Sequence, residues 1–328
     1  MQIDTTDRKI LSQLDQGARR PVSEIAKALR ISRTIVDYRI RKLKRQGIIR
    51  SFSSFIDSYK FGFSSWKVYI QFQNTTRDIE EEMMQMLAAH NHVWWVVRCF
   101  GTYDLLYSVF AKDIEEFNNV LEQFHDRFSQ YILKEDINNH LEAQYSSRGY
   151  LTNSAGTPIS GLLLSKPLME KVDDTDIAIL RLLGNDARLN AVEIAKMVKT
   201  SARAVIYRIK NLEKRKIVGF HRLSLDINAL DLDFYKGLLY LKNTTEKKIN
   251  SLRQFCVQHP RINMAVKSIG PWQFEVEMEV EGFKEFNQVI QELKDQFPDM
   301  IIRADPLLLY DEKKAEFNFL DYINRSVS

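Results

Sequence analysis

Arg33, Thr34, Tyr38, Arg41, Lys44 and Arg45 fall, with Asp37, on one side of a short segment whose other side carries Val36, Ile40 and Leu43 at helical spacing. A second segment keeps that frame with Val205, Ile209 and Leu212 and sets Arg203, Tyr207, Lys210 and Lys214 on its outward face. Arginine can place two parallel hydrogen bonds on a guanine edge, lysine neutralises a phosphate, and tyrosine can stack. A solvated helix face would also carry cations near its C-terminus, where they suit the helix dipole. The recurrence of the face in a second segment favours contact with a polyanion.

Three short helices are needed to present each face. In the first set, Asp7 or Thr6 is expected to cap a helix running to about Asp15 and ended by Gly17. Ser23 is expected to cap a second helix bearing Ile25, Ala26 and Leu29. Ser32 is expected to cap the third, which Gly47 closes. The tight link before Ser32 is that of a helix-turn-helix, whose last helix enters a DNA major groove. Arg39 and Arg208 lie beside the buried stripe and suit structural ion pairs at least as well as DNA contacts.

The two sets belong to an internal repeat. Shifting the 328-residue sequence by 169 positions pairs Ala18-Arg19 with Ala187-Arg188, Glu24-Ile25-Ala26-Lys27 with Glu193-Ile194-Ala195-Lys196, and Asn74-Thr75-Thr76 with Asn243-Thr244-Thr245. It also pairs His90 with His259 and Gly101 with Gly270, without a gap from residue 7 to residue 132. Charge follows the repeat. Residues 1–57 hold 13 Lys+Arg against 6 Asp+Glu, residues 173–226 hold 11 against 7, and the overall charge of +4 leaves −7 for the rest.

After each basic module the pattern changes to strand, helix, strand, strand, helix, strand: 66–73, 76–90, 93–100, 103–111, 113–128 and 132–141 in the first copy. That βαββαβ order is ferredoxin-like, one sheet with both helices on one face, and the uncovered face calls for a partner. The fold class is therefore α+β, with two helix-turn-helix (winged helix) domains and two ferredoxin-like domains in tandem. The expected divisions are 1–60, 61–144, a linker at 145–172, 173–229 and 230–328. The apolar Leu162-Leu163-Leu164 implies that part of the linker packs on a domain surface.

The chain resembles the Lrp/AsnC transcription regulators, as a tandem fusion of two. The resemblance rests on Asp7-Arg8-Lys9-Ile10-Leu11, Ser23-Glu24-Ile25-Ala26, Ser32 with Val36 and Arg39-Ile40, Leu43 with Gly47-Ile48-Ile49, and Gly101-Thr102-Tyr103-Asp104. It implies double-stranded DNA as partner, self-association through the ferredoxin-like domains, and a small-molecule effector such as an amino acid bound near Gly101, Tyr103 and Asp104. A hairpin turn at Gly101 and a surface charge at Asp104 would explain the same residues without an effector. The second copy has Gly270-Pro271-Trp272-Gln273 there, so the carboxylate that an ammonium group needs is missing.

No catalytic signature is present, six scattered histidines lack ligand spacing, and Cys99 and Cys256 form no CxxC pair. No enzyme activity, metal or cofactor is expected. No apolar run approaches the ~20 residues of a membrane span, and the first residues lack a secretory pattern, so a cytoplasmic protein is expected. Two other functions remain in view: an architectural, nucleoid-type DNA-binding protein, and an enzyme like the related sirohaem decarboxylases, which would enlist His92, Arg98 or Tyr103.

Overall fold

The computed structural model describes residues 3–161, 163–164, 169–315 and 320. The first unit comprises α1 (Thr5–Gln16), α2 (Val22–Leu29), α3 (Arg33–Arg45), β1 (Ile49–Ile56), β2 (Ser64–Phe72), α4 (Arg77–Ala89), β3 (Val93–Gly101), β4 (Leu105–Ala111), α5 (Ile114–Phe128) and β5 (Ile132–Tyr145). After the short β6 (Leu163–Leu164), the second unit repeats the order. It consists of α6 (Asp174–Asn185), α7 (Ala191–Met197), α8 (Ala202–Lys214), β7 (Val218–Leu225), β8 (Asp233–Leu241), α9 (Glu246–Gln258), β9 (Ile262–Ile269), β10 (Phe274–Val280), α10 (Phe283–Gln296) and β11 (Ile301–Ala315).

Two helix starts differ from expectation. Asp4, not Asp7 or Thr6, caps α1, its carboxylate accepting from the Asp7 amide at 2.8 Å while Asp7 reaches back to the Asp4 amide. Pro21 starts α2 with its ring already holding φ at −59°, so Ser23 lies inside the first turn and makes no cap. Ser32 caps α3 as expected, and Gly47 follows it at φ +74°, a left-handed turn that suits glycine. Each three-helix reader closes on its own apolar core, with Val36, Ile40 and Leu43 in one and Val205, Ile209 and Leu212 in the other.

The readers are joined to each other. β1 pairs antiparallel with β7, with Ser53 opposite Arg222, its own repeat mate, so a pseudo-two-fold axis passes through this ribbon. Arg19 donates to the carbonyl oxygens of Ala187 and Leu189, and Arg188 reciprocates onto those of Ala18 and Arg20. A twofold set of interdomain bonds fixes one recognition helix relative to the other.

The two ferredoxin-like sheets pair within the chain. The first half of β5 lies against β2 of its own unit and the second half against β9 of the other; β11 is shared in the same way between β8 and β3. The order β2-β4-β3-β11-β8-β10-β9-β5 closes on itself through β2–β5, leaving no free edge in the ring. The helices cover the outer faces, and the inner faces meet around Tyr69, Tyr103, Leu106, Leu238 and Trp272. The partner that the open face required is the other copy.

The expected linker at 145–172 is largely structural. Tyr145 ends β5, Leu163–Leu164 adds to that strand, and Ser146, Ser147, Arg148 and Tyr150 are buried. A connection whose backbone and side chains bond to both units cannot act as a spacer. Leu162 and residues 165–168 lie outside the described residues.

Between the sheets is a buried charge cluster. Lys236 donates to Glu275 at 2.8 Å and Glu277 at 2.7 Å, while its repeat mate Lys67 stands 3.6 and 3.4 Å from the same carboxylates. Burial pushes the Lys67 ammonium down to about 8, with Lys236 adding repulsion. Burial would raise Glu277, but Lys236 and Lys67 outweigh it and hold that group at about 2. Burial, helped by Lys67, pushes the His140 ring down to about 4. The unfolded chain, with an ordinary imidazole, therefore binds a proton below pH ~6.5 that the folded chain takes only near pH 4. Folding stability from this group is complete above pH 6.5 and is lost as pH falls toward 4. His140→Gln is expected to reduce the stability lost between pH 7 and pH 4.5 by about 2–3 kcal/mol, read from urea midpoints at each pH. Asp57, pushed up to about 6 by burial, acts in the opposite direction but equally in both proteins. Identical pH profiles would show that His140 is protonated in the folded chain.

Candidate nucleic-acid interface

α3 and α8 present the residues singled out above to solvent. Arg33, Thr34, Tyr38, Arg41, Lys44 and Arg45 are exposed on α3, and Arg203, Tyr207, Lys210 and Lys214 on α8. Tyr38 and Tyr207, 59% and 73% accessible, are large rings left uncovered at matching positions and open to stacking. On α3, Arg41 is held 2.6 Å from Asp37 one turn earlier, and the Lys44 ammonium stands 4.8 Å over the Phe52 ring at the start of the ribbon. Both cations are oriented but not consumed, since an exposed pair of this kind contributes little energy.

Arg39 and Arg208 are not part of this face. Arg39 bonds Asp4 at 2.6 Å and Asp7 at 2.8 Å, and Arg208 repeats the arrangement with Asp173 and Asp176. Each clamps the recognition helix to the N-terminus of the first helix of its reader. The faces themselves have diverged: Asp37 of α3 corresponds to Ile206 of α8, and Lys44 to Glu213, which bonds His221. Arg19 and Arg188, which set the relative orientation of the readers, gave no signal beyond their recurrence in the repeat.

The residues expected near an effector are otherwise engaged. Gly101 sits at φ +137°, and a Cβ there would lie 2.6 Å from the Pro306 carbonyl oxygen of β11. At its mate Gly270 a Cβ would lie 2.7 Å from the Ile137 carbonyl oxygen of β5. Both glycines permit the last strand of the opposite unit to cross. Tyr103 is buried against Tyr69 and Trp272, and its hydroxyl bonds Asp136. Asp104 accepts from the Phe72 amide at 2.7 Å, and Gln273 accepts from the equivalent Leu241 amide at 2.9 Å. Since an amide oxygen serves in the second copy, the carboxylate at 104 is not required for this bond. Asp104→Ala is expected to lower stability by about 1–2 kcal/mol and Asp104→Asn by less than about 0.5 kcal/mol, measured by denaturant titration. Equal losses from both would mean that the negative charge itself is needed.

His92, Arg98 and Tyr103 do not converge. His92 bonds the Phe110 carbonyl oxygen at 3.0 Å, and Arg98 is held by Glu80, Glu81 and Asp311 on the outer side of β3. Cys99 and Cys256 are buried free thiols. Among the described residues no cluster of three His, Cys, Asp or Glu could hold a metal, and no helix is long and apolar enough to cross a membrane.

Two helix-turn-helix readers on a paired ferredoxin-like core define a DNA-binding protein of duplicated design. The AsnC-type helix-turn-helix domain matches residues 3–44 and again residues 172–213, an offset of 169 that reproduces the repeat. The proline dehydrogenase transcriptional activator of Rhodobacter capsulatus is 32% identical over 123 residues, 36% of this chain and 78% of that protein. The regulator LysM of Saccharolobus solfataricus is 32% identical over 121 residues, 37% of this chain and 82% of its own length. The chain belongs to the Lrp/AsnC family of helix-turn-helix transcriptional regulators. In overall fold it is similar to the siroheme decarboxylase NirDL, 12% identical, with a TM-score of 0.63 over 98% of this chain and 99% of that one. That likeness shows that the whole duplicated architecture recurs.

Proposed function

We propose that the chain is a sequence-specific regulator of transcription that reads DNA with two unequal faces carried on one rigid internal pair. The observation that carries this reading is the exposure of ten DNA-directed side chains on α3 and α8 while the readers are tied by the β1–β7 ribbon and the Arg19 and Arg188 bonds. Two locked readers engage major grooves about one helical turn apart. Because α3 and α8 carry different side chains, the two half-sites differ. Selection from a random DNA library at fixed salt is expected to enrich a two-part site with unequal halves. A symmetric palindrome would assign reading to α3 of two chains. Strong low-salt binding without enrichment would support the architectural function.

The pairing that self-association through the ferredoxin-like domains would supply is made here inside one chain, so one chain is the DNA-binding unit. It acts in the cytoplasm and responds to a small molecule. A second reading, decarboxylation of sirohaem, is favoured by the fold shared with NirDL. The dispersal of His92, Arg98 and Tyr103, each committed to a protein partner, weighs against it. Titrating the purified chain with sirohaem decides between them. No change in the visible spectrum and no carbon dioxide release would leave the regulator, and turnover would establish the enzyme.

A further inference from the structure

A cavity of about 380 Å³ lies where the β1–β7 ribbon sits on the paired sheets. It lies on the pseudo-two-fold axis, because both members of the repeat-related pairs Ser53 and Arg222, Ser65 and Phe234, and Trp95 and Met264 line it. In a true homodimer such a site would have two identical ends. Divergence of the copies has made it one-sided here.

Charges of both signs line this site: Lys67 and Arg222, and the carboxylates of Glu277 and Glu312, which Lys236 and the Trp95 Nε1 respectively already bond. Arg222 is half-buried and makes no ion pair among the described residues. Lys67 is buried, with longer contacts to Glu275 and Glu277 than those of Lys236, and its ammonium stands 4.9 Å over the Trp95 ring. The Ser65 hydroxyl and the His140 Nε2 are buried without a hydrogen-bond partner, Nε2 lying 3.5 Å from Glu275. Unsatisfied buried polar atoms cost about 1–3 kcal/mol each, and these two, on a cavity that Arg222 also lines without an ion pair, call for a ligand. Tyr145 and Trp95 supply flat apolar walls. The volume falls within the range of small-molecule sites. Guanidinium and ammonium together select a negative group, and the planar fork of arginine suits a carboxylate.

We propose that this cavity binds one small organic anion per chain, a carboxylate on a planar apolar body, with the carboxylate held by Arg222 and Lys67. The site is distinct from the Gly101, Tyr103 and Asp104 region. A ligand wedged beneath the ribbon that joins the readers alters DNA affinity; that consequence alone rests on the regulator reading.

Isothermal titration of the full chain without DNA tests the site, using phenylacetate, phenylpyruvate and indole-3-acetate as probes, with phenylacetamide as the uncharged control. The expected result is one site per chain for at least one acid, with at least tenfold weaker binding of the amide. Arg222→Gln is expected to weaken the acid at least tenfold, and Arg222→Lys to restore part of the loss. Ser65→Phe, which installs the residue found at the mate position 234, is expected to abolish binding while leaving the charges in place; circular dichroism reports whether each variant is folded. Two equivalent sites, equal binding of the amide, unchanged affinity in folded Arg222→Gln and Ser65→Phe variants, or no heat from any acid at 10 mM each overturn the proposal. A chain that fails to bind DNA but passes this titration loses the regulator reading and keeps the site.

Discussion

Arg148→Ala is expected to lower folding stability by about 3–5 kcal/mol, because it leaves two buried carboxylates without their cation. The guanidinium lies 2.6 Å from Asp15 of α1, and through Nε and Nη2 it donates to both oxygens of Glu279 of β10 at 2.7 and 2.9 Å. It also donates to the Leu223 carbonyl oxygen of β7, and its own amide donates to Asp15. A single side chain thus ties a reader helix of one unit to the ribbon and a sheet of the other. Burial pushes Asp15 up despite Arg148, whereas at Glu279 the two ionic bonds and the Tyr150 hydroxyl overcome burial and hold the group low. Removing the cation reverses that balance at Glu279, and folding then requires proton uptake. The urea midpoint at neutral pH should fall sharply and recover in part on mild acidification. Replacing all three groups together, as Arg148→Met, Asp15→Leu and Glu279→Met, should cost much less, since no charge is left uncompensated. A loss below 1 kcal/mol for Arg148→Ala alone would mean that water reaches the carboxylates.

That arginine also shows where the sequence stopped being informative. Ser146, Ser147, Gly149 and Gly156 read as the punctuation of a linker, and nothing local marks Arg148 as buried, because its two carboxylate partners are more than 130 residues away, one in each direction. The alternating Phe274-Glu275-Val276-Glu277-Met278-Glu279-Val280 reads as a half-exposed strand, yet all seven residues are buried. Its acids face the other unit's sheet, which supplies Lys67, and meet Lys236 from the neighbouring strand β8 of their own. Period-two alternation reports which residues share a face, not whether that face meets water. The lengths of β5 and β11, 14 and 15 residues, were a missed sign, since one half of each is surplus to its own sheet and pairs with the other. The helices of the readers were legible because their stripes, caps and outward faces are set within a few residues: Val36, Ile40 and Leu43 bury, Ser32 caps, and Arg41 and Lys44 remain outside. The βαββαβ order was legible for the same local reason, and the repeat because divergence had spared its frame.

Arg41→Ala combined with Lys44→Ala is expected to weaken DNA binding about 10- to 100-fold near physiological salt and to reduce the slope of log affinity against log salt by about 1.8, since each lost phosphate contact removes about 0.9. Both side chains are exposed on α3, and their protein contacts, Asp37 for Arg41 and the Phe52 ring for Lys44, cost little to give up, so stability should change by less than about 0.5 kcal/mol. Fluorescence anisotropy across a salt series separates this from a base-reading loss, which would lower affinity without flattening the slope. Arg39→Ala is the control on the same helix. Its bonds to Asp4 and Asp7 hold α3 against α1, so it should cost stability and leave the salt slope of the folded fraction unchanged. Lys210→Ala with Lys214→Ala on α8 completes the argument. If the two readers are locked on one duplex, the α3 pair and the α8 pair weaken protection of opposite halves of the selected site, and the four-residue variant loses roughly the product of the two effects. An α8 variant that binds like the parent would leave α3 as the sole reader and make the second unit a scaffold that closes the sheets.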